Sequence, residues 1–419
     1  MSKLAIHGGR PVIKNTLKPY NSIEKSDFKY LRGIMKTGLL SGFVASKNDE
    51  FHGGPYVRKL EEISKNIFKV KNAISLNSNT SGLIAAIGAI NTSPGDEIII
   101  PPYTMSATAM APLHYGAIPV FADIERDYFC LDINDVKKKI TSKTKAIIAV
   151  NLFGHPAELR KLKKLCKKHN IYLIEDNAQA PLAEEFGELT GTVGDIGVFS
   201  LNRHKHIHTG EGGICVTNND ELAYKLKLIR NHGECVYDGK SKKILINNIG
   251  YNFRLDEISA SIAVSQLNKI KKIVNNRIDK TTQLIEGIRH LEGIITPKVR
   301  KGCKHVYYVM PMRINEKLLG VKRDSFAKAL ASEGLPINQG YVKPLYELPV
   351  FKKKIGFGRS NFPFNMTKIN YNKISCPVVE KMHYREELGF GICSFKLDKQ
   401  ELKQIIKIFN KVHENRQKI

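Results

Sequence analysis

The sequence contains no pair of cysteines spaced CxxC, no run of about 18 uncharged apolar residues, and far fewer acidic residues than basic ones. Each shortage narrows the field. The seven cysteines, at positions 130, 166, 215, 235, 303, 376 and 393, are scattered and odd in number. That argues against a disulfide framework and against a zinc site, and leaves them as small buried apolar residues. The missing apolar run removes any candidate membrane span, and the opening Met1-Ser2-Lys3-Leu4-Ala5-Ile6-His7-Gly8-Gly9 lacks the apolar stretch of a signal peptide. A soluble cytoplasmic protein with no membrane partner is expected. The 66 Lys and Arg against 40 Asp and Glu leave a formal charge of +26, yet the lysines lie in short runs such as Lys137-Lys138-Lys139 and Lys352-Lys353-Lys354. Spread over the polar faces of expected helices, they do not form the dense block of a nucleic-acid partner, and they leave room for attraction of an anionic substrate.

What is present points to an α/β fold. At 419 residues the chain is long enough for two domains, and 42% hydrophobic with 25% charged residues excludes a chain dominated by disorder. Short continuous apolar runs at 73–76, 97–101, 118–121, 146–150, 171–174, 196–199 and 213–217 alternate with helical patterns. Continuous rather than alternating apolar character fits strands covered on both faces, hence a mainly parallel sheet of seven strands. Ligands of such sheets gather at the carboxyl ends of the strands. A long helix is expected over 255–275. Beyond it, helical stretches at 281–290, 323–333 and 399–412 flank one strand at 306–314, which predicts a smaller α+β domain. The boundary is set at 1–270 for the large domain with its N-terminal arm, and 271–419 for the small one. Residues 345–382, rich in Pro, Asn, Phe and Lys, read as a long loop draped over the rest.

Five segments carry chemistry. Ser75-Leu76-Asn77-Ser78-Asn79-Thr80-Ser81-Gly82-Leu83 follows a strand and opens a helix, so its small hydroxyl residues and free N–H groups suit a phosphate, although a plain helix cap reads the same way. Ile171-Tyr172-Leu173-Ile174-Glu175-Asp176-Asn177-Ala178-Gln179 ends a buried strand in an acid that could hold a protonated pyridine ring, or cap a helix, or ligate a metal. In Ser200-Leu201-Asn202-Arg203-His204-Lys205-His206-Ile207-His208-Thr209-Gly210-Glu211-Gly212-Gly213 three histidines suggest a metal, but no carboxylates stand at ligand spacing, so no metal is assigned. Lys205 lies between a buried strand and a Gly-rich turn, where desolvation and neighbouring cations would lower its pKa and make the amine nucleophilic.

These residues, with Leu4-Ala5-Ile6-His7-Gly8-Gly9-Arg10-Pro11-Val12, Gly53-Gly54-Pro55-Tyr56-Val57 and the string from Gly194-Asp195-Ile196 to Gly213, resemble the DegT/StrS-type sugar aminotransferases, which are fold-type I enzymes of pyridoxal 5'-phosphate. The resemblance implies that Lys205 carries the cofactor as a Schiff base and then shuttles protons, that Asp176 pairs with the pyridine nitrogen and Gln179 with the phenolic oxygen, and that Thr80, Ser81 and Ser200 hold the phosphate. Gly250-Tyr251-Asn252-Phe253-Arg254 looks like the family segment whose asparagine enters the neighbouring subunit's site, which implies a homodimer with Asn252 acting across the interface. Pro101-Pro102-Tyr103-Thr104-Met105 matches the loop that stacks an aromatic ring on the cofactor. Met105 falls at that place, a weaker partner for a π-face, and Tyr103 is the substitute. Gly340-Tyr341-Val342-Lys343-Pro344-Leu345-Tyr346 faces the substrate in relatives and carries Tyr346 near a usual histidine. Tyr103, His208, Tyr341 and Tyr346 are the substrate candidates. The implied reaction moves an amino group from glutamate or glutamine to a nucleotide-linked keto sugar or a keto-cyclitol. A sugar dehydratase, which in relatives replaces the lysine with histidine, and a regulatory relative without catalysis are the alternatives.

Overall fold

The structure, a computed structural model, describes residues 3–46, 48–237 and 244–419. Its centre is one seven-stranded sheet: β1 (Asn72–Leu76), β2 (Glu97–Ile100), β3 (Ile118–Phe121), β4 (Thr144–Val150), β5 (Tyr172–Asp176), β6 (Ile196–Ser200) and β7 (Gly213–Thr217). The spatial order is β1-β7-β6-β5-β4-β2-β3. Neighbours from β6 to β3 run parallel, whereas β7 runs against both β6 and β1. All seven expected strands are present because each is covered on both faces: Ile98, Ile99 and Ile100 are fully buried, as are Ile147, Ile148 and Ala149. Burying one Ile side chain is worth about 1.5–3 kcal/mol relative to exposing it, so three in a row fix both the strand and its central place.

The helices of this half are α1 (Phe28–Thr37), α2 (Pro55–Phe68), α3 (Asn79–Ala89), α4 (Ala107–Leu113), α5 (Ile133–Lys139), α6 (Leu159–His169), α7 (Asp220–Arg230) and α8 (Glu257–Ile288). Helix α3 is buried on nearly every side, from Ser81 to Ala89. It is Ala-rich because it lies against β6 and β7, where Gly82 has no space for a Cβ: one would meet the Val198 side chain at 2.5 Å. The sequence reading divides residues 255–290 into two helices, but α8 is continuous. No proline or glycine interrupts 257–286, and the two halves bury their stripes in different cores, Ala260 to Val274 in one and Leu284 to Ile288 in the other.

The second core is built on a four-stranded antiparallel sheet, β8 (Ile294–Ile295), β9 (Met310–Ile314), β10 (Asn338–Gln339) and β11 (Glu387–Phe390), in the order β8-β9-β11-β10. Helices α9 (Arg323–Ser332) and α10 (Lys399–Glu414) cover it. Of these strands only β9 was expected, and it starts at 310 rather than 306. The preceding residues leave the sheet: the N–H groups of Val306 and Tyr308 bond the carbonyls of Gly154 (3.0 Å) and Phe153 (2.7 Å) after β4. The chain start packs here too, through Leu4, Ile13 and Leu17. The long loop contains short helical turns and lies over the first core as expected, anchored there by Leu345, Tyr346, Phe351, Phe364 and Tyr371.

Candidate active site

The strand register brings distant motifs to one edge of the sheet. Ser200, the last residue of β6, and Leu76, the last of β1, both face Gly213, the first of the antiparallel β7. The turn before α3, the Gly-rich turn before β7 and the ends of β5 and β6 therefore meet at a single edge. Gly213 is required there, since a Cβ would stand 2.4 Å from the Ser78 carbonyl oxygen. The loop carrying Lys205 is closed on itself: Leu201 donates its N–H to the Gly212 carbonyl (2.8 Å) and Thr209 donates to Leu201 (2.9 Å). At the turn, Gly210 and Gly212 take φ values of 88° and 155°, which glycine alone adopts readily.

A cavity of about 340 Å³ opens at this edge, lined among others by Asn79, Thr80, Met105, Asp176, Gln179, Ser200, Lys205, Tyr308 and Tyr341. Lys205 is half-buried. Burial lowers the pKa of its amine, and Asp176 opposes that shift without cancelling it. The amine rests 4.4 Å from the centre of the Tyr308 ring. Asp176 is buried, and burial raises its pKa against the pull of Thr108, Ala178 and Lys205. The Thr108 hydroxyl donates to one carboxylate oxygen at 2.8 Å and the Ala178 N–H to the other at 3.3 Å. At the opposite wall, the Ser78 hydroxyl caps α3 by accepting the Ser81 N–H (3.0 Å). The next two residues, Asn79 and Thr80, line the cavity, so the positive end of the helix opens into it. An amine of lowered pKa, a buried carboxylate and the positive end of a helix in one cavity fit an aldehyde-bearing, phosphorylated pyridine.

Gln179 is oriented by two contacts: its oxygen accepts the Phe153 N–H (2.8 Å) and its amide nitrogen donates to the Tyr341 hydroxyl (2.9 Å). One amide proton remains for a ligand. Met105 sits on the cavity lip, 52% exposed, and so is able to close over a bound ring.

Five expected residues are not in the lining. Ser81 is buried beside it, its hydroxyl donating to Asn77 (2.6 Å). Tyr103 is fully buried and its oxygen accepts the Tyr341 N–H (2.7 Å), so it supports Tyr341 instead of facing a substrate. Tyr346 lies in the core, its hydroxyl donating to Glu380 (2.7 Å), because the surrounding loop is packed on Phe121. His208 is half-buried outside the cavity. Asn252 is exposed, and its side-chain oxygen accepts from the Arg254 Nε (2.8 Å). The three histidines diverge: His204 reaches the cavity, His206 is buried on the Val306 carbonyl (2.9 Å), and His208 points elsewhere. Among the described residues no three His, Cys, Asp or Glu side chains form a metal set.

Among the lining residues given no role from the sequence are Asn202, His204, Glu211, Asn79, Thr104 and Tyr308. The first three stand inside the Lys205 motif and could have been found by their neighbourhood. Tyr308 had no local signal, because it arrives from the second half of the chain.

Comparison with known proteins gives a consistent pattern. A model described as the DegT/DnrJ/EryC1/StrS aminotransferase family matches residues 44–387. The chain is 34% identical over 341 residues to a UDP-N-acetyl-3-dehydro-alpha-D-glucosamine 3-aminotransferase of Acidithiobacillus ferrooxidans, covering 81% of this chain and 87% of that one. It is 31% identical over 346 residues to a GDP-perosamine synthase of Vibrio cholerae, covering 81% and 89%. Among solved structures, Helicobacter pylori PseC, an aminotransferase involved in the biosynthesis of pseudaminic acid, superposes with a TM-score of 0.80 at 25% identity, over 96% of this chain and 99% of that one.

Proposed function

Because the chain belongs to the DegT/DnrJ/EryC1/StrS aminotransferase family, with pyridoxal 5'-phosphate as its cofactor, we propose that it transfers an amino group from glutamate or glutamine to the keto group of a nucleotide-linked sugar. The observation that carries this reading is the cavity itself, which holds the half-buried, pKa-lowered amine of Lys205 together with Asp176 and the N-terminus of α3. The nucleotide-linked acceptor is favoured by the names of the two relatives above and by the +26 charge of the chain.

When bound, the cofactor supplies an electrophilic carbon and a ring that withdraws electrons from the reacting centre. The roles of the side chains follow from their surroundings. Lys205 Nζ, least solvated among the cavity's basic groups, would hold the cofactor covalently and, when free, would carry a proton at the reacting centre. Asp176 would stabilise a proton on the ring nitrogen, and Thr108 steadies the carboxylate. Gln179 would offer its remaining N–H to the ring oxygen. Asn79, Thr80 and Ser200 would hold the phosphate with the end of α3, and Ser81 supports them through the cap. Met105, on the cavity lip, would shield a bound ring from water. Tyr341 is the substrate-facing residue best placed for an acceptor hydroxyl.

The active form in this reading is a homodimer in which Asn252 completes the neighbouring cavity, its exposure leaving it available to a second subunit. The division between the two domains at residue 270 falls within α8, ahead of the stretch between Val274 and Leu284 where the helix passes from one core to the other. The compartment is the cytoplasm, in keeping with cysteines that are scattered along the chain and odd in number.

The test is a panel. The protein is incubated with glutamate or glutamine and with nucleotide-linked 3-keto and 4-keto sugars and free keto-cyclitols, and products are read by mass. An amino sugar formed from a nucleotide-linked acceptor, with affinity that falls as ionic strength rises, is the expected result. Amination confined to cyclitols would overturn the acceptor class, and release of a deoxysugar without amine would overturn the transfer.

A further inference from the structure

Among the described residues, Lys205 is the one basic group of the cavity whose amine lies over an aromatic face, and that face comes from the other half of the chain. The Tyr308 ring centre stands 4.4 Å from the amine, inside the range in which a ring quadrupole attracts a cation. Among the described residues no carboxylate forms an ion pair with this amine, and Asp176 acts on it by charge. The ring is the aromatic face on which it rests.

The ring is also held rigidly. Tyr308 donates its N–H to the Phe153 carbonyl at 2.7 Å, and two residues earlier Val306 is fixed on both sides, donating to Gly154 (3.0 Å) and accepting from the buried His206 ring (2.9 Å). His206 follows Lys205 directly, so the chain that carries the amine and the chain that carries the ring are pinned to one another. Burial raises the pKa of the Tyr308 hydroxyl, so the residue stays a neutral phenol and presents a ring face without a competing charge.

We propose that Tyr308 is a positioning residue for the catalytic amine: its ring face holds Lys205 Nζ at the cavity wall and stabilises the protonated state of the amine whenever the cofactor is not attached to it. The inference rests on the reading that Lys205 carries the cofactor. The other titratable groups facing the amine are Asp176 from β5, Cys393 from the turn after β11, Tyr341 from the loop after β10, and His204 and Glu211 on its own loop. Asp176 favours the protonated amine by charge. Tyr308 adds a contribution that needs no charge and is least affected by salt, since the ring and the amine are in contact.

The experiment uses the full-length chain freed of cofactor. Lys205 is labelled with acetic anhydride over a pH series, and acetylation of its peptide is followed by mass, which gives the apparent pKa of this one amine. Tyr308→Phe keeps the ring and should titrate with the wild type. Tyr308→Leu keeps the apolar bulk without a π-face and should shift the pKa down by about half to one unit. Trifluorophenylalanine at 308 keeps the ring's shape while weakening its negative face, and should fall between Phe and Leu; it decides the matter where the leucine variant does not fold. A leucine or trifluoro variant that titrates with the wild type overturns the proposal, as does a Phe variant shifted as far as Leu, which would assign the effect to the hydroxyl. Cofactor found on another lysine in the loaded wild type would instead overturn the function reading, and the titration distinguishes the two because it is made without cofactor.

Discussion

Burial pushes the Lys205 amine and the Asp176 carboxyl each toward its neutral form, the amine downward in pKa and the acid upward. A neutral amine is what covalent attachment needs, whereas a charged carboxylate is what a protonated ring needs, so the acid depends on its hydrogen bonds more than the amine does. Thr108→Val removes the 2.8 Å bond to Asp176, and a hydrogen bond to a charged group is worth about 1.5–3 kcal/mol. Turnover is therefore expected to fall roughly tenfold or more with cofactor still bound, read by steady-state rate and absorbance; an unchanged rate would contradict the assigned role of Asp176. A second buried acid lies behind the cavity. Glu387, 1% exposed and with one carboxylate oxygen lacking a partner, has its pKa pushed up to about 8 by burial, against the opposing charge of Arg323. The folded chain thus keeps a proton that the unfolded chain releases near pH 4.3, so stability is greatest below that value and falls as pH rises toward about 8. Glu387→Gln should flatten this dependence and melt above the wild type at pH 8; parallel melting profiles from pH 5 to 9 would refute it.

At the scale of elements, the cavity depends on close passage of backbone. Gly213→Ala would drive a Cβ to 2.4 Å from the Ser78 carbonyl, and overpacking of this kind costs about 1–3 kcal/mol. Lower thermal stability together with loss of cofactor retention is expected, because the same contact seats the cap of α3; full retention would show that the turn can shift freely. The seven strands of the large sheet were legible because each is a continuous apolar run. The reversed direction of β7 was not, since a run buried on both faces carries no mark of its direction. The strands β8, β10 and β11 are short, and their residues gain burial only through packing between remote segments, so no local period announced them. That Lys205, Asp176 and Thr80 meet in one cavity was legible for the opposite reason, each standing in a motif that follows a strand or opens a helix. Tyr103 and Tyr346 misled because their loops were read without the packing that turns their hydroxyls toward Tyr341 and Glu380.

For the whole molecule, the proposed dimer has a direct consequence. Lys205→Ala and Asn252→Ala subunits should each be nearly inactive alone, while their co-expression should restore activity, because some mixed dimers then hold one site with both residues intact. No recovery on mixing would place Asn252 outside the neighbour's site. The account as a whole stands or falls on where the cofactor is attached. Borohydride reduction of the loaded protein, followed by digestion and mass mapping, should find the cofactor's mass on the peptide containing Lys205 and nowhere in Lys205→Ala. The same mass on another lysine, or on none, would contradict it.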